Sequence, residues 1–177
     1  MEAHRICDKL GLHHPVVEQP EYSMLNRTKV DKEYLPLFQD HGMGSTVWSP
    51  LASGILSGKY NNGIPAGTRF DTSDPMLKGV FESHLGENVR EKTVKLLKGL
   101  EEIAKELGAT QAQLAYAWVL KNPNVSSCLM GASKVSQVEE NVKAVEVAKK
   151  ITPEILERIE KILGNTPAGH FNFKLWK

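Results

Sequence analysis

Two stretches of the chain combine residue types that could hold a phosphorylated aromatic ligand. The first is GASKVSQVEEN at 131–141. Gly131, Ala132 and Ser133 lie between an apolar run and an amphipathic helical pattern, so first-turn N–H groups and the positive end of a helix dipole would face outward together, as they do in anion sites. Gln137, Glu140 and Asn141 follow at i, i+3 and i+4, on one helical face just above that terminus. A phosphate carrying an adenosine would meet Ser133 and Lys134 first and these three afterwards. The same spacing also suits a capped surface helix with a solvated polar face. The second stretch is WSPLASGILSGK at 48–59. Trp48 offers a flat ring where ligands bind in parallel-sheet proteins, beyond the carboxyl ends of the strands. Ser49, Ala52 and Ser53 are small enough to admit a pyrophosphate to the backbone, while Lys59 and Arg69 could supply positive charge. A core tryptophan followed by a glycine-rich loop is the other reading of that segment.

Other chemistries find less support. There is no GxxxxGK[ST] segment, and GMGSTV at 42–47 is not a GxGxxG opening a helix after a strand. His13 and His14 are adjacent rather than i, i+4 partners, so they read as turn residues and no metal site is expected. Cys7 and Cys128 lack CxxC spacing and the density of a disulfide scaffold, which points to structural thiols in a reducing compartment. Lys+Arg 22 against Asp+Glu 21 leaves no basic surplus for a phosphate backbone, so nucleic acid is not an expected partner. The opening MEAHRICDKLGLHH lacks the apolar stretch of a secretory signal, and nothing later approaches a membrane span of roughly 20 apolar residues. The expectation is a cytoplasmic protein without membrane insertion.

The elements that must position these groups can be read from periodicity and punctuation. Residues 2–10 read as the end of a helix stopped by Gly11. Pro15–Gln19 and Met43–Trp48 are β-prone, with helical spacing between them over Val30–Gln39, where Pro36 is a blemish. From Ser49 to about Gly86 the chain reads as a long loop in which only Ala52–Tyr60 could form a short helix, and a loop of that length is usually functional. Glu87–Leu107 is an amphipathic helix carrying Val94, Leu97, Leu100, Ala104 and Leu107 on one face. Thr110 and Gln113 have capping-box spacing and open a helix through Leu120, with Tyr116 and Trp118 assigned to the core. Val125–Met130 reads as a third, buried strand, followed by a helix with Ser133 at its N-cap and Val135, Val138, Val142 and Val145 as its apolar stripe. Thr152 before Pro153 opens a last helix to Leu163, stopped by Gly164 before a tail containing Phe171, Phe173 and Trp176. Strands alternating with helices imply an α/β fold with parallel pairing. A closed (β/α)₈ barrel takes about 250 residues, and three strands cannot close one.

WSPLASGILSGKY at 48–60 and GASKVSQVEEN at 131–141, with VEQPEYSML at 17–25, resemble the last strands of an aldo-keto reductase, most of all the branch that contains voltage-gated potassium channel β-subunits. The resemblance covers essentially the whole chain. It implies a partial, C-terminal half of a TIM (β/α)₈ barrel with parallel strands and outer helices: residues 1–177 as one incomplete domain holding strands six to eight. It implies NADP(H) as cofactor, bound extended. Gln19, ending the sixth strand, would contact the nicotinamide amide, and Trp48, ending the seventh, would stack on the ring. Ser49, Pro50, Leu51, Ala52, Ser53, Lys59 and Arg69 would hold pyrophosphate and ribose. Gly131, Ser133, Gln137, Glu140 and Asn141, with Lys134 as an addition, would hold the adenosine and its 2′-phosphate.

The family's Asp, Tyr, Lys and His tetrad belongs to the first half of the barrel, as do the first four strands and the fifth strand's Ser-Asn nicotinamide contacts. No catalytic residue is therefore assigned, and none of Tyr22, Tyr34, Tyr60 and Tyr116 takes the role. The expected function is the NADPH-binding portion of a carbonyl reductase, inactive alone, with small-molecule carbonyls as substrates of the full-length family. A regulatory module resembling a channel β-subunit, which would meet an ion channel's cytosolic domain, is the alternative. A truncated product without stable function is the third. Self-association, or pairing with a missing N-terminal half, is the expected way to cover open strand edges.

Overall fold

The computed structural model describes residues 2–70 and 74–168; Phe171, Phe173 and Trp176 lie outside them. Among the described residues, the chain runs α1 (Glu2–Leu10), β1 (Val17–Glu18), a π-helical turn (Lys29–Glu33), α2 (Leu35–His41), β2 (Gly44–Val47) and a 3₁₀ segment (Ala52–Ser57). It continues through α3 (Pro75–Leu85), α4 (Arg90–Glu106), α5 (Gln111–Leu120), β3 (Val125–Cys128), α6 (Val135–Asn141), α7 (Ala144–Lys150) and α8 (Pro153–Leu163). The strands form one parallel sheet in the order β1-β2-β3. Parallel neighbours require crossovers, and the helices supply them. The α/β architecture thus arises from the alternation of strand and helix patterns.

The core is built around α5. Thr110 Oγ1 accepts from the Gln113 backbone N–H and the Gln113 side chain accepts from the Thr110 N–H, a complete capping box. Every residue from Gln111 to Val119 is buried, because α4, α7, β3 and the 3₁₀ segment all pack on this one helix. A helix apolar on all sides belongs in the middle of a fold. Along α4, Leu97, Leu100, Ile103 and Ala104 are buried, and Gly108, at φ +66, ends the element. On α8, Thr152 caps the first turn by accepting from the Ile155 N–H.

A polar network joins α5 and α8 to the segment after β1. Arg27 is 8% exposed, with Nε 2.6 Å from Asp31 Oδ2 and Nη1 2.5 Å from Glu160 Oε2. Its guanidinium sits 4.8 Å from the centroid of Trp118, whose Nε1 donates to Glu160 Oε1 at 3.1 Å. Tyr22 OH and Asn122 Nδ2 both donate to Asp31 Oδ1. Burial alone would raise the Glu160 pKa, but the hydrogen bonds from Arg27, Thr166 and Trp118 outweigh it and leave the group below the ordinary carboxylate value. These residues line a cleft of about 380 Å³ that reaches Lys121, Leu156 and Pro167.

Several elements depart from the sequence reading. The segment read as one helix over Val30–Gln39 is a π-turn followed by α2, with Pro36 in the first turn of α2, where its missing N–H costs nothing. β1 is shorter than Pro15–Gln19 and exposed. The stretch read as loop contains α3, capped by Asp74, whose Oδ1 accepts from the N–H groups of Met76 and Leu77. Pro75 there starts a helix instead of breaking one. β3 is not a buried strand: Ser126 and Ser127 are exposed, since β3 is an edge of this sheet. The valine stripe does not face the core either. Val135, Val138, Val142 and Val145 are exposed, while Asn141, Ala144 and Val147 are buried, and the helix is divided at Val142–Lys143. Packing of α7 on α5 selects that face. Lys134, not Ser133, occupies the N-cap of α6.

Replacing Arg27 by Met leaves Asp31 and Glu160 partly buried without their cation, so chemical denaturation at pH 7 should show a loss of about 3 kcal/mol. The Glu160 pKa is depressed in the folded protein, so its contribution is present above the ordinary carboxylate range and is lost as pH falls through the folded value. The deficit of Arg27→Met should therefore shrink toward pH 4.

Candidate functional site

The sheet brings the two chemically suggestive stretches to one edge. The register pairs Val47 with Cys128, and the Leu129 N–H donates to the Val47 carbonyl at 2.8 Å. On the other side, Trp48 forms a bridge with Glu21: the Trp48 N–H donates to Pro20 O and the Tyr22 N–H to Trp48 O, each at 3.1 Å. Trp48 thus lies between the continuations of β1 and β3, at the carboxyl ends of all three strands, and the residue is 47% exposed. Gln19 directly follows β1 at the same end and is exposed. Gly131–Ser133 come two residues after Leu129 and are exposed as well.

The segment after Trp48 has an unusual backbone. Ser49, Ala52 and Ser53 all adopt left-handed conformations at φ 58, 47 and 56, followed by Gly54 at φ 94. Each non-glycine residue there costs about 1 kcal/mol or more, and such strain gathers at functional loops. Ser49 Oγ accepts from the Ser53 N–H at 3.3 Å, and the Ser49 carbonyl accepts from the Ala52 N–H at 2.9 Å. Pro50 and Ala52 are buried, and Ser49, Leu51 and Ser53 half-buried. Lys59 is exposed, its Nζ 5.9 Å from the Tyr60 ring centroid, and Arg69 is exposed.

At the far end, the Gln137 side chain occupies the amide cluster itself. Its Oε1 accepts from Ser133 N–H at 2.8 Å, Ser133 Oγ at 3.2 Å and Lys134 N–H at 3.3 Å. Glu140 and Asn141 do not sit on an open polar face beside it. Glu140 Oε1 accepts from Thr110 Oγ1 at 2.8 Å and its carbonyl from Gln113 Nε2 at 2.8 Å, so the α5 capping box holds it; Asn141 is buried.

Two further titratable groups lie toward the Trp48 end. Glu21, the bridge partner of Trp48, accepts from Asn26 Nδ2 at 2.7 Å. His84, on α3, is held below the ordinary imidazole value by burial, with the Glu21 charge acting the other way. Sequence reading could not reach His84 because α3 itself was hidden behind Pro75 and Gly79. Burial pushes the Cys128 thiol up to about 12, and burial followed by Cys128 pushes Tyr116 up to about 12. Tyr22 is raised by burial and by Asp31. Among the described residues, no group of three or more His, Cys, Asp or Glu side chains could hold a metal ion, and no helix is long and apolar enough to cross a membrane.

A model of the Aldo/keto reductase family matches residues 2–163. The chain belongs to the aldo/keto reductase family. Among its relatives is a putative voltage-gated potassium channel subunit beta of Schizosaccharomyces pombe, 49% identical over 165 residues, which are 93% of this chain and 47% of the relative. Probable voltage-gated potassium channel subunits beta of Arabidopsis thaliana and of Oryza sativa subsp. japonica are 48% and 44% identical over 167 residues, 94% of this chain and 49% of each relative. This aldo/keto reductase chain spans about half the length of the curated relatives it matches.

The left-handed turn makes Ala52 intolerant of β-branching. Ala52→Val should lower stability by about 2 kcal/mol, combining backbone strain with overpacking at a buried site; urea denaturation followed by tryptophan fluorescence measures it.

Proposed function

We propose that this chain is the NADPH-binding portion of an aldo/keto reductase-type carbonyl oxidoreductase, a single incomplete domain corresponding to the last three strands of a (β/α)₈ barrel. The observation that carries the reading is the parallel register that seats Trp48 beside Leu129, so that the indole and the Gly131–Lys134 segment lie at one carboxyl edge, where ligands of parallel-sheet proteins bind. Trp48 stacks on the nicotinamide and Gln19 holds its amide. Ser49, Pro50, Leu51, Ala52, Ser53, Lys59 and Arg69 hold the pyrophosphate and ribose. Gly131, Ser133, Lys134 and Gln137 take the adenosine and its 2′-phosphate, with Glu140, held on the α5 cap, and buried Asn141 fixing that end of the site. When bound, the dinucleotide supplies hydride to a small-molecule carbonyl.

The residues present fit that group with one rearrangement. The Ser133 and Lys134 amides already hold an oxygen acceptor, the neutral Gln137 carboxamide, so the site is built for oxygen. A phosphate forms charge-assisted bonds there, roughly twice as strong as neutral ones, and displaces Gln137. Glu140 stays on the α5 cap. General acid catalysis needs a donor within hydrogen-bond reach of the carbonyl oxygen, and buried, raised Tyr22 and Tyr116 do not provide one. The chain by itself is a binding unit in the cytosol rather than a reductase.

The names of the relatives favour a second reading, in which cofactor occupancy serves regulation and the chain docks on the cytosolic domain of an ion channel. Co-purification of the chain with such a domain is the result that would support it. In either case the sheet edges need cover. Val16 before β1, Val17 in it, and Leu129, Met130 and Val135 beyond β3 are exposed apolar residues. Self-association, or pairing with the N-terminal half of a barrel, covers them, and gel filtration reads which occurs.

Fluorescence titration of the purified chain should show NADPH bound more tightly than NADH, with Trp48→Ala about fivefold weaker for both, since lost stacking is worth ~1 kcal/mol. Ser133→Asp should remove the preference for NADPH, because its carboxylate opposes the 2′-phosphate. Equal binding by Trp48→Ala and the parent overturns the reading, as does NADPH oxidation with 4-nitrobenzaldehyde for the claim of inactivity.

A further inference from the structure

We propose that α1 is a proton-controlled arm: the imidazoles of His4, His14 and His41 dock it on the carboxyl end of α2 while His4 is neutral, and mild acid releases it. The only buried residue of α1 is His4, at 3% exposure, whereas its larger apolar residues Ile6 and Leu10 remain 42% and 61% exposed. Attachment of the helix therefore rests on an imidazole rather than on a hydrophobic stripe. The His4 ring centroid lies 4.1 Å from that of His41, the last residue of α2, and 5.3 Å from that of His14, in the turn that leads from α1 to β1. Both ring nitrogens of His4 are buried without a hydrogen-bond partner. A neutral imidazole bears that cost; an imidazolium, with two donors and a charge to solvate, does not.

The charged groups facing His4 are arranged against its protonation. Burial comes first, and the charges of His41 and His14 act in the same direction, so that His4 is held below the ordinary imidazole value. The Pro15 backbone acts the other way, favouring the protonated ring. The neighbouring carboxylate, Asp8, is engaged with His14, 2.9 Å from its Nε2. Asp8 is thus committed to His14, and neither ring nitrogen of His4 has a carboxylate partner. Because the docked form has the lower His4 pKa, it binds fewer protons than the released form below the ordinary value of about 6.5. Docking is complete above that pH and is lost as pH falls through the interval beneath it. Release remains local, since β1 stays tied to β2 through the Gly44 N–H on the Val16 carbonyl at 3.2 Å. The device is independent of the nucleotide reading.

Hydrogen exchange of the full chain between pH 7.5 and 5.0, corrected for intrinsic rates and referenced to α5, tests it. Protection of the amides of residues 5–10 should fall by pH 5.5, by no more than the roughly tenfold that one proton's linkage allows there, with α5 unchanged. His4→Phe, which keeps a ring without a proton site, should hold α1 protected across the range. His41→Asn, which removes one facing charge, should make the fall shallower. A flat profile in the parent overturns the proposal, as does a parental fall in His4→Phe. If His4→Phe leaves α1 unprotected at every pH, His41→Asn decides, and an undiminished fall there overturns it.

Discussion

The pairing of β2 with both its neighbours is the constraint on which the candidate site depends. Ser45, fully buried, commits its N–H and its Oγ to the Asn124 carbonyl, at 3.1 and 2.8 Å, and so anchors the start of β3 against β2. The register then shifts: Ser45 pairs with Val125, but Thr46 pairs with Ser127, leaving Ser126 as an extra residue on β3. A bulge of this kind reorients the residues on its carboxyl side. Val47 comes opposite Cys128, and Leu129 becomes the neighbour of Trp48. A slip of one residue would have turned the alternate set of β3 side chains toward the sheet's other face. The lack of a side chain at Gly44 belongs to the same arrangement, since a Cβ there would collide with Ser126 Oγ.

The second fixed point is the start of α5. Its Thr110–Gln113 capping box reads, in sequence, as a device for starting a helix, and it is one. The structure gives both side chains a further task, because Thr110 Oγ1 and Gln113 Nε2 also bind Glu140 through its carboxylate and its carbonyl. The end of α6 is thereby fastened to the most buried helix of the fold. Positioning of the proposed adenosine contacts depends on core packing through these two bonds, and on the burial of Asn141, Ala144 and Val147 that turns the valine stripe outward.

How far the sequence spoke depended on whether a signal was local. The capping box at Thr110, the glycine stops at Gly11, Gly108 and Gly164, and the Thr152-Pro153 helix start are decided by contacts within one turn, and each appears in the structure. The parallel α/β order came from alternation of period. What failed were features set by distant partners. Whether Val135, Val138, Val142 and Val145 or the Asn141 face would be buried depends on what α5 offers, and periodicity favoured the valines. Whether β3 is covered depends on its being an edge of this sheet. α3 was lost for a different reason: Asp74, Pro75 and Gly79 look like loop punctuation, yet Asp74 and Pro75 are a cap and a first-turn residue. In the candidate site, the residue types at Trp48 and Ser133 were legible. Their adjacency at one sheet edge, and the seat of Gln137 among the Ser133 and Lys134 amides, required coordinates.

The segment after Trp48 shows what the site costs the fold. A loop whose task is only to turn the chain would place glycine at every left-handed position, as this one does at Gly54 and Gly58. At Ser49, Ala52 and Ser53 it instead carries side chains in the same region, and local contacts offset part of the penalty. The Ala52 methyl is buried, and the Ser49 hydroxyl accepts from the Ser53 amide. A backbone held this way is dictated by neighbours rather than by propensity, so its conformation is narrow and its amide directions are set before any ligand arrives. Preorganisation of that kind lowers the ordering cost of binding. The 131–137 segment takes the opposite course, satisfying its amides with a movable side chain. The two ends of the proposed site thus differ in kind: the one beside Trp48 is held by its own backbone contacts, and the one at Ser133 is closed by the Gln137 side chain.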